Sequence, residues 1–185
     1  MKIVVQRVKN AKLEVEGELI SQIGTGLVCF VGFGEGDQNL KLDWYVNKLC
    51  GLRVFGDENQ KMNLNLNQVD GEMLLVSNFT LYADCSHGFR PSFINALNPT
   101  EANNLFEKFV EMVRAQLPNK VKTGVFGADM QITQHNDGPI TIILDSEKEN
   151  KWALKWTLLE NCFKLSRLLI EKRIIKKKWF QPTTF

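Results

Sequence analysis

Histidine is scarce in this chain and cysteine is scattered. Only His87 and His135 occur in 185 residues, and Cys29, Cys50, Cys85 and Cys162 include no CxxC pair. That pattern lacks the spacing of a zinc site, and neither a metal nor a cofactor is expected. No uncharged stretch is long enough to span a bilayer, so no membrane partner is expected. The opening MKIVVQRVKN places only four apolar residues before Arg7, too few for a secretory leader's apolar core. A cytoplasmic protein with free, mostly buried thiols is the resulting expectation.

What is present is the composition of an ordinary globular domain, 44% hydrophobic and 24% charged, which excludes a disordered chain. The net charge of +2 conceals an asymmetry. Residues 1–147 carry 13 Lys and Arg against 18 Asp and Glu, whereas 148–185 carry 10 against 3. An acidic body and a basic tail imply that any grip on a polyanion is local. The chain therefore divides into a domain at 1–147 and a basic amphipathic extension at 148–185. Trp152, Trp156, Leu159, Phe163, Ile170 and Ile174 fall on one helical face of that extension. Such a helix packs on the body or on a dimer partner, lies on a membrane surface, or contacts RNA.

The order of elements, with too few crossover helices for a doubly wound sheet, predicts an α+β fold, and a compact, sheet-rich, barrel-like single domain with two main helices is the expectation. Strands are expected at 2–8, 11–16 and 26–33, the last a continuous apolar run buried on both faces. Leu42, Val46, Leu49 and Cys50 give one helical face, and Leu105, Phe106, Phe109, Val110 and Val113 another. The second helix starts at Asn98-Pro99-Thr100-Glu101, with Asn98 as cap and Pro99 in the first turn. Residues 56–71 read as loop with a short strand, 72–81 as a strand, and 128–134 and 139–145 as two more. Gly138-Pro139 reads as a turn into the last of them, and its isomer is open, since a cis bond costs only about 0.5–1 kcal/mol.

Hydrolytic chemistry needs a nucleophile, a base, or a strongly polarising site. Cys85-Ser86-His87 offers a thiol and an imidazole, but Gly88 marks a loop, and a nucleophile and its base normally come from separate segments. Ser77-Asn78-Phe79-Thr80 is better placed, where an apolar strand emerges and backbone N–H groups and hydroxyls converge. The alternative is a strand end whose hydroxyls satisfy neighbouring backbone.

Two segments together carry a resemblance. SNFTL at 77–81 resembles the Ser-Gln-Phe-Thr motif of the D-aminoacyl-tRNA deacylases, and NDGPIT at 136–141 is similar to their Asn-x-Gly-Pro-Val-Thr motif. QRV at 6–8, KMNLN at 61–65, RPSF at 90–93 and FGADMQI at 126–132 agree in order, so the resemblance spans residues 1–145. It implies hydrolysis of the ester joining a D-amino acid, and by extension glycine, to the 3′ end of tRNA. It also implies a homodimer in which each Gly138-Pro139 pair, in the cis form, reaches into the partner's site. There its carbonyls would exclude an L side chain.

By the same resemblance Ser77, Phe79 and Thr80 form the catalytic turn, with backbone N–H groups near Phe79 and Thr80 facing the oxyanion. The terminal 2′-OH of the tRNA would assist the attacking water. Arg7 would fix the Gly-Pro loop, and Phe126, Gly127, Ala128 and Met130 would shape the terminal adenosine pocket. Asn78 departs from the family pattern, which has Gln. Two other functions stay open: editing of a mischarged small L-aminoacyl-tRNA, with a trans Gly-Pro bond, and RNA binding without turnover.

Overall fold

The computed structural model describes residues 1–146, and the expectation of a helical extension over 148–185 lies outside them. Strand β1 (Lys2–Val15) turns at Glu16 and Gly17, both at positive φ (52° and 83°), into β2 (Glu18–Ile23). Such a two-residue turn matches the twist of a hairpin. Then come β3 (Gly26–Gly32), α1 (Leu42–Cys50), the short hairpin β4 (Phe55–Gly56) and β5 (Met62–Leu64), and β6 (Glu72–Ser77). A 3₁₀ turn over Phe79–Tyr82 leads on to α2 (Pro99–Gln116), β7 (Val121–Thr123) and β8 (Met130–Asp145). The main sheet runs β2-β1-β3-β6-β7, with β8 along the other edge of β1. Ser21 Oγ, on β2, donates to the Thr123 carbonyl of β7 at 2.6 Å, which draws the two ends of the sheet together. The expected barrel-like α+β domain with two helices is what the chain forms.

The β3 run is buried on both faces, as its unbroken apolar sequence predicts. Leu27, Cys29 and Val31 join the core under the helices, while Val28 joins a second cluster with Val8, Leu13, Leu74 and Val76. β3 and β6 are parallel neighbours, with Val31 opposite Ser77. Their crossover contains α1, whose Leu42, Tyr45, Val46, Leu49 and Cys50 are buried. On α2, Ala102, Phe106, Phe109, Val110 and Val113 are buried, and Leu105 is only partly so. Asn98 Oδ1 caps α2 by accepting from the Glu101 N–H at 3.1 Å. The Glu101 carboxylate returns to the Asn98 side-chain amide (2.6 Å), not to its backbone N–H as in a reciprocal capping box.

Three expectations about strands are corrected. Residues 2–8 and 11–16 are one strand, because β8 pairs along nearly its whole length and carries it across the polar Lys9-Asn10 pair. The strand expected over 72–81 ends at Ser77, where the Asn78 side chain caps the 3₁₀ turn. The two strands expected at 128–134 and 139–145 are likewise one, β8. The ladder passes from Gln6 opposite Thr141 to Val8 opposite Asn136, so residues 137–140 bulge out opposite Arg7. Gly138-Pro139, which is cis, therefore sits in a bulge within a strand rather than in a turn before one.

Candidate active site

β6 delivers the Ser77–Thr80 turn to the edge of the sheet. The Asn78 N–H makes the last ladder-like bond, to the Val31 carbonyl (2.8 Å), and the backbone then winds into the 3₁₀ turn. Tyr82 anchors the far end: its hydroxyl donates to Asp37 Oδ2 at 3.1 Å. The same buried carboxylate accepts the Gly34 N–H (2.7 Å) and pairs with the Met1 amine. Close packing fixes the turn from behind. A Cβ on Gly32 would lie 2.6 Å from the Asn78 carbonyl oxygen, and one on Gly34 would lie 2.2 Å from the Tyr82 ring.

The segment after β7 arrives opposite. The Gly124 N–H bonds the Leu75 carbonyl (3.1 Å), Gly127 turns the chain at φ +75°, and Phe126 packs 6.2 Å from Phe106 of α2. Between the two segments lies a cavity of about 700 Å³. Ser77, Asn78, Phe79 and Thr80 line one side, and Phe126, Gly127, Ala128 and Met130 another. These eight sequence-chosen residues thus share one site. Asp129, within the FGADMQI stretch, lines it too, and so do Phe30, Phe33, Phe93 and the helix cap Asn98, which were not expected at the site. Phe93 lies within the RPSF stretch and stacks edge-on against Phe79, with centroids 5.1 Å apart. Phe30 and Phe33 carry no local signal beyond their apolar strand.

Within the Ser77–Thr80 turn, Asn78 Oδ1 accepts from the Thr80 backbone N–H (3.2 Å) and from Thr80 Oγ1 (2.5 Å). One of the two donors expected to face an oxyanion is therefore engaged by a neighbouring side chain. The Phe79 N–H, at the open start of the turn, has no acceptor among the described residues.

Arg7, Gly138 and Pro139 do not line this cavity. Arg7 Nε lies 2.9 Å from Asp137 Oδ2, a charge contact whose N–H is not aligned for a hydrogen bond. Arg7 Nη1 donates to the Val54 carbonyl (2.5 Å), so the side chain ties the bulge of β8 to the segment before β4. Gln134 Nε2, nearby, donates to Gln6 Oε1 (2.6 Å) and Asn136 Oδ1 (2.9 Å). Gly138 and Pro139 are exposed beyond this network.

Cys85 and His87 lie on an exposed loop and are absent from the cavity lining. Burial pushes the Cys50 thiol up to about 11 and raises Cys29 as well, so neither is a ready nucleophile. Among the described residues no group of His, Cys, Asp or Glu is placed to hold a metal ion, and no helix is long and apolar enough to cross a membrane.

A cavity floored by the ends of two parallel strands, with the Phe79 N–H at the turn beside it and Asp129 as its one titratable lining side chain among the described residues, suits hydrolysis of an already activated ester. Residues 4–145 match the family described as D-Tyr-tRNA(Tyr) deacylase, and the chain belongs to that family. A D-aminoacyl-tRNA deacylase of Desulfitobacterium hafniense is 49% identical over 148 residues, 80% of this chain and 99% of the relative. The enzyme of that name from Clostridium acetobutylicum is 45% identical with the same coverage. Among solved structures, one titled c-Myc DNA Unwinding Element Binding Protein superposes with a TM-score of 0.74 at 40% identity, covering 79% of this chain and 99% of its own. A probable eukaryotic D-amino acid tRNA deacylase shares the fold, with a TM-score of 0.67 at 16% identity.

Proposed function

We propose that this protein hydrolyses the ester bond of D-aminoacyl-tRNA, and of glycyl-tRNA, releasing the free amino acid and tRNA. The observation that carries the reading is the convergence of Ser77–Thr80 and Phe126–Met130 on one cavity, with Gly138-Pro139 held outside it. The terminal adenosine binds against Phe126–Met130, which sets the ester carbonyl beside Phe79 and Thr80. Water adds to the carbonyl carbon, aided by the tRNA's terminal 2′-OH. The Phe79 N–H, joined by the Thr80 N–H once the Asn78 side chain turns away, receives the oxyanion. The carbon–oxygen ester bond then breaks and the 3′ oxygen takes a proton. One such donor is worth about 10²–10³ in rate, and positioning supplies much of the remainder. No side-chain nucleophile is required, and Ser77 and Thr80 bind rather than attack.

Chirality is read by exclusion. Because Gly138 and Pro139 lie outside the cavity of their own protomer, the filter is made by Gly138 and Pro139 of the partner subunit in a homodimer. Their carbonyl oxygens meet an L side chain at the substrate Cα and leave a D side chain, or the hydrogen of glycine, free. The test is paired incubation with D-Tyr-tRNA, Gly-tRNA and L-Tyr-tRNA. Hydrolysis of the first two and sparing of the third is expected. Equal or absent hydrolysis of the tyrosyl pair would overturn the reading, as would hydrolysis confined to a small L-aminoacyl-tRNA.

A second reading is RNA binding without turnover, favoured by the engagement of the Thr80 donors with Asn78. It predicts salt-sensitive tRNA binding with no release of amino acid from any of these substrates.

A further inference from the structure

The loop that follows the catalytic turn carries features the proposed reaction leaves unused. Its base is closed by Asp84 and Ser92, which exchange backbone bonds of 2.7 and 2.9 Å. Asp84 Oδ1 also accepts the Ser86 N–H at 2.9 Å, and Gly88 turns the tip at φ +66°. This built hairpin presents Phe89 at 108% relative exposure, with its whole ring in water. Leaving a phenyl ring so exposed forgoes stabilisation that any fold-internal partner would provide. Arg90, beside it, is exposed and has no ion-pair or hydrogen-bond partner among the described residues.

The hairpin is continuous with the cavity. Phe93, one residue past the closing bridge, stacks on Phe79 and lines the cavity wall. Phe89 lies three residues from Ser92, so the backbone between them spans at most about 10 Å. An aromatic ring with both faces free, next to an unpaired guanidinium, fits a planar base on a phosphate chain better than it fits an apolar surface.

We infer that Phe89 is a stacking platform for an unpaired nucleotide preceding the terminal adenosine of the tRNA, with Arg90 facing its phosphate. This deepens the deacylase reading and rests on it. The platform reads the RNA strand, not the amino acid, and recognises bases without regard to sequence.

The test compares two substrates of full-length protein: D-Tyr-tRNA, and D-tyrosyl adenosine, which lacks every preceding nucleotide. Phe89→Ala should raise KM for D-Tyr-tRNA about tenfold, the scale of one lost base stack, with kcat unchanged. D-Tyrosyl adenosine should be hydrolysed as by the parent protein, and Phe89→Trp should restore the parent KM on tRNA. An unchanged KM on tRNA overturns the inference. So does an equal loss on both substrates, or a shift in oligomeric state on sedimentation, which would assign the ring to a contact between protein copies. The Kd for an uncharged acceptor-end RNA hairpin, measured alongside, should also rise about tenfold in Phe89→Ala. That measurement holds even if the parent protein turns over neither substrate, a result that would count against the deacylase reading alone.

Discussion

Asn78 stands where the motif that SNFTL resembles has Gln, and its side chain is engaged within its own turn. Its Oδ1 accepts from the Thr80 N–H at 3.2 Å and from Thr80 Oγ1 at 2.5 Å. If the transition state recruits the Thr80 N–H, the free enzyme must first give up this pair of bonds. Each is a neutral bond at an exposed position, worth about 0.5–1.5 kcal/mol net, so together they hold back about 1–3 kcal/mol. That corresponds to about 5- to 160-fold in rate. In Asn78→Gln the amide sits one methylene further out and cannot close the same short ring onto Thr80. Single-turnover hydrolysis of D-Tyr-tRNA should accelerate about fivefold or more.

Asn78→Ala also frees the donor but removes the cap of the 3₁₀ turn, which should cost about 0.5–2 kcal/mol of stability in urea unfolding. Its rate should be no lower than the parent's. The Asn78 backbone N–H to the Val31 carbonyl is retained in both variants, so the end of the sheet stays in place. A fall of about 10²–10³ in the rate of Asn78→Ala, the loss expected of a missing oxyanion donor, would refute this reasoning. It would mean that the Asn78 side chain itself touches the transition state.

Three further outcomes follow from the bulge and the core. Arg7→Ala leaves the carbonyl of buried Val54 without its donor and frees Asp137, so about 2–3 kcal/mol should be lost on urea unfolding. A double-mutant cycle with Asp137→Asn should give a coupling near 1 kcal/mol, kept small because Asp137 is partly solvated, and zero coupling would dismiss the ion pair. Gly138→Ala places a Cβ 2.7 Å from the Ile140 nitrogen at φ +130°, so the bulge must move. Discrimination between D- and L-Tyr-tRNA should then degrade more than thermal stability does, and unchanged selectivity would count against the filter. Exposed Cys85 should react with iodoacetamide while Cys29 and Cys50 resist, the Cys50 thiol, raised to about 11, being roughly 10⁻³ ionised or less at pH 7.5. Peptide mapping that finds Cys50 labelled as fast as Cys85 would contradict its burial.

How far the sequence could be read depended on how local each cause was. The start of α2 was legible because its cap, Asn98, and its bonding partner, Glu101, lie three residues apart. The burial of β3 on both faces was legible because its apolar run is unbroken. The length of β1 and β8 was not, since each is held straight by the other across more than a hundred residues of chain. The same holds for the site. SNFTL and FGADMQI were singled out by resemblance, yet their meeting depends on β3 pairing with both β1 and β6, which no local pattern displays. Phe30, Phe33 and Phe93 reach the cavity for the same non-local reason.

The Gly-Pro pair shows where local rules mislead. Asp-Gly and Gly-Pro are strong turn dipeptides, and the rule is correct about the backbone they favour. What the rule omits is Arg7. Because β1 continues past residues 137–140 without a gap, the extra residues on β8 must leave the ladder, and Pro139, which has no N–H to give it, loses nothing by leaving. Arg7 stands at the point of departure and binds Asp137 on one side and the Val54 carbonyl on the other. The bulge is thus held from the strand it departs from, and its tip, Gly138 and Pro139, is exposed. A bulge within the strand keeps Gly138 and Pro139 exposed, which is what the proposed filter in a homodimer requires of them.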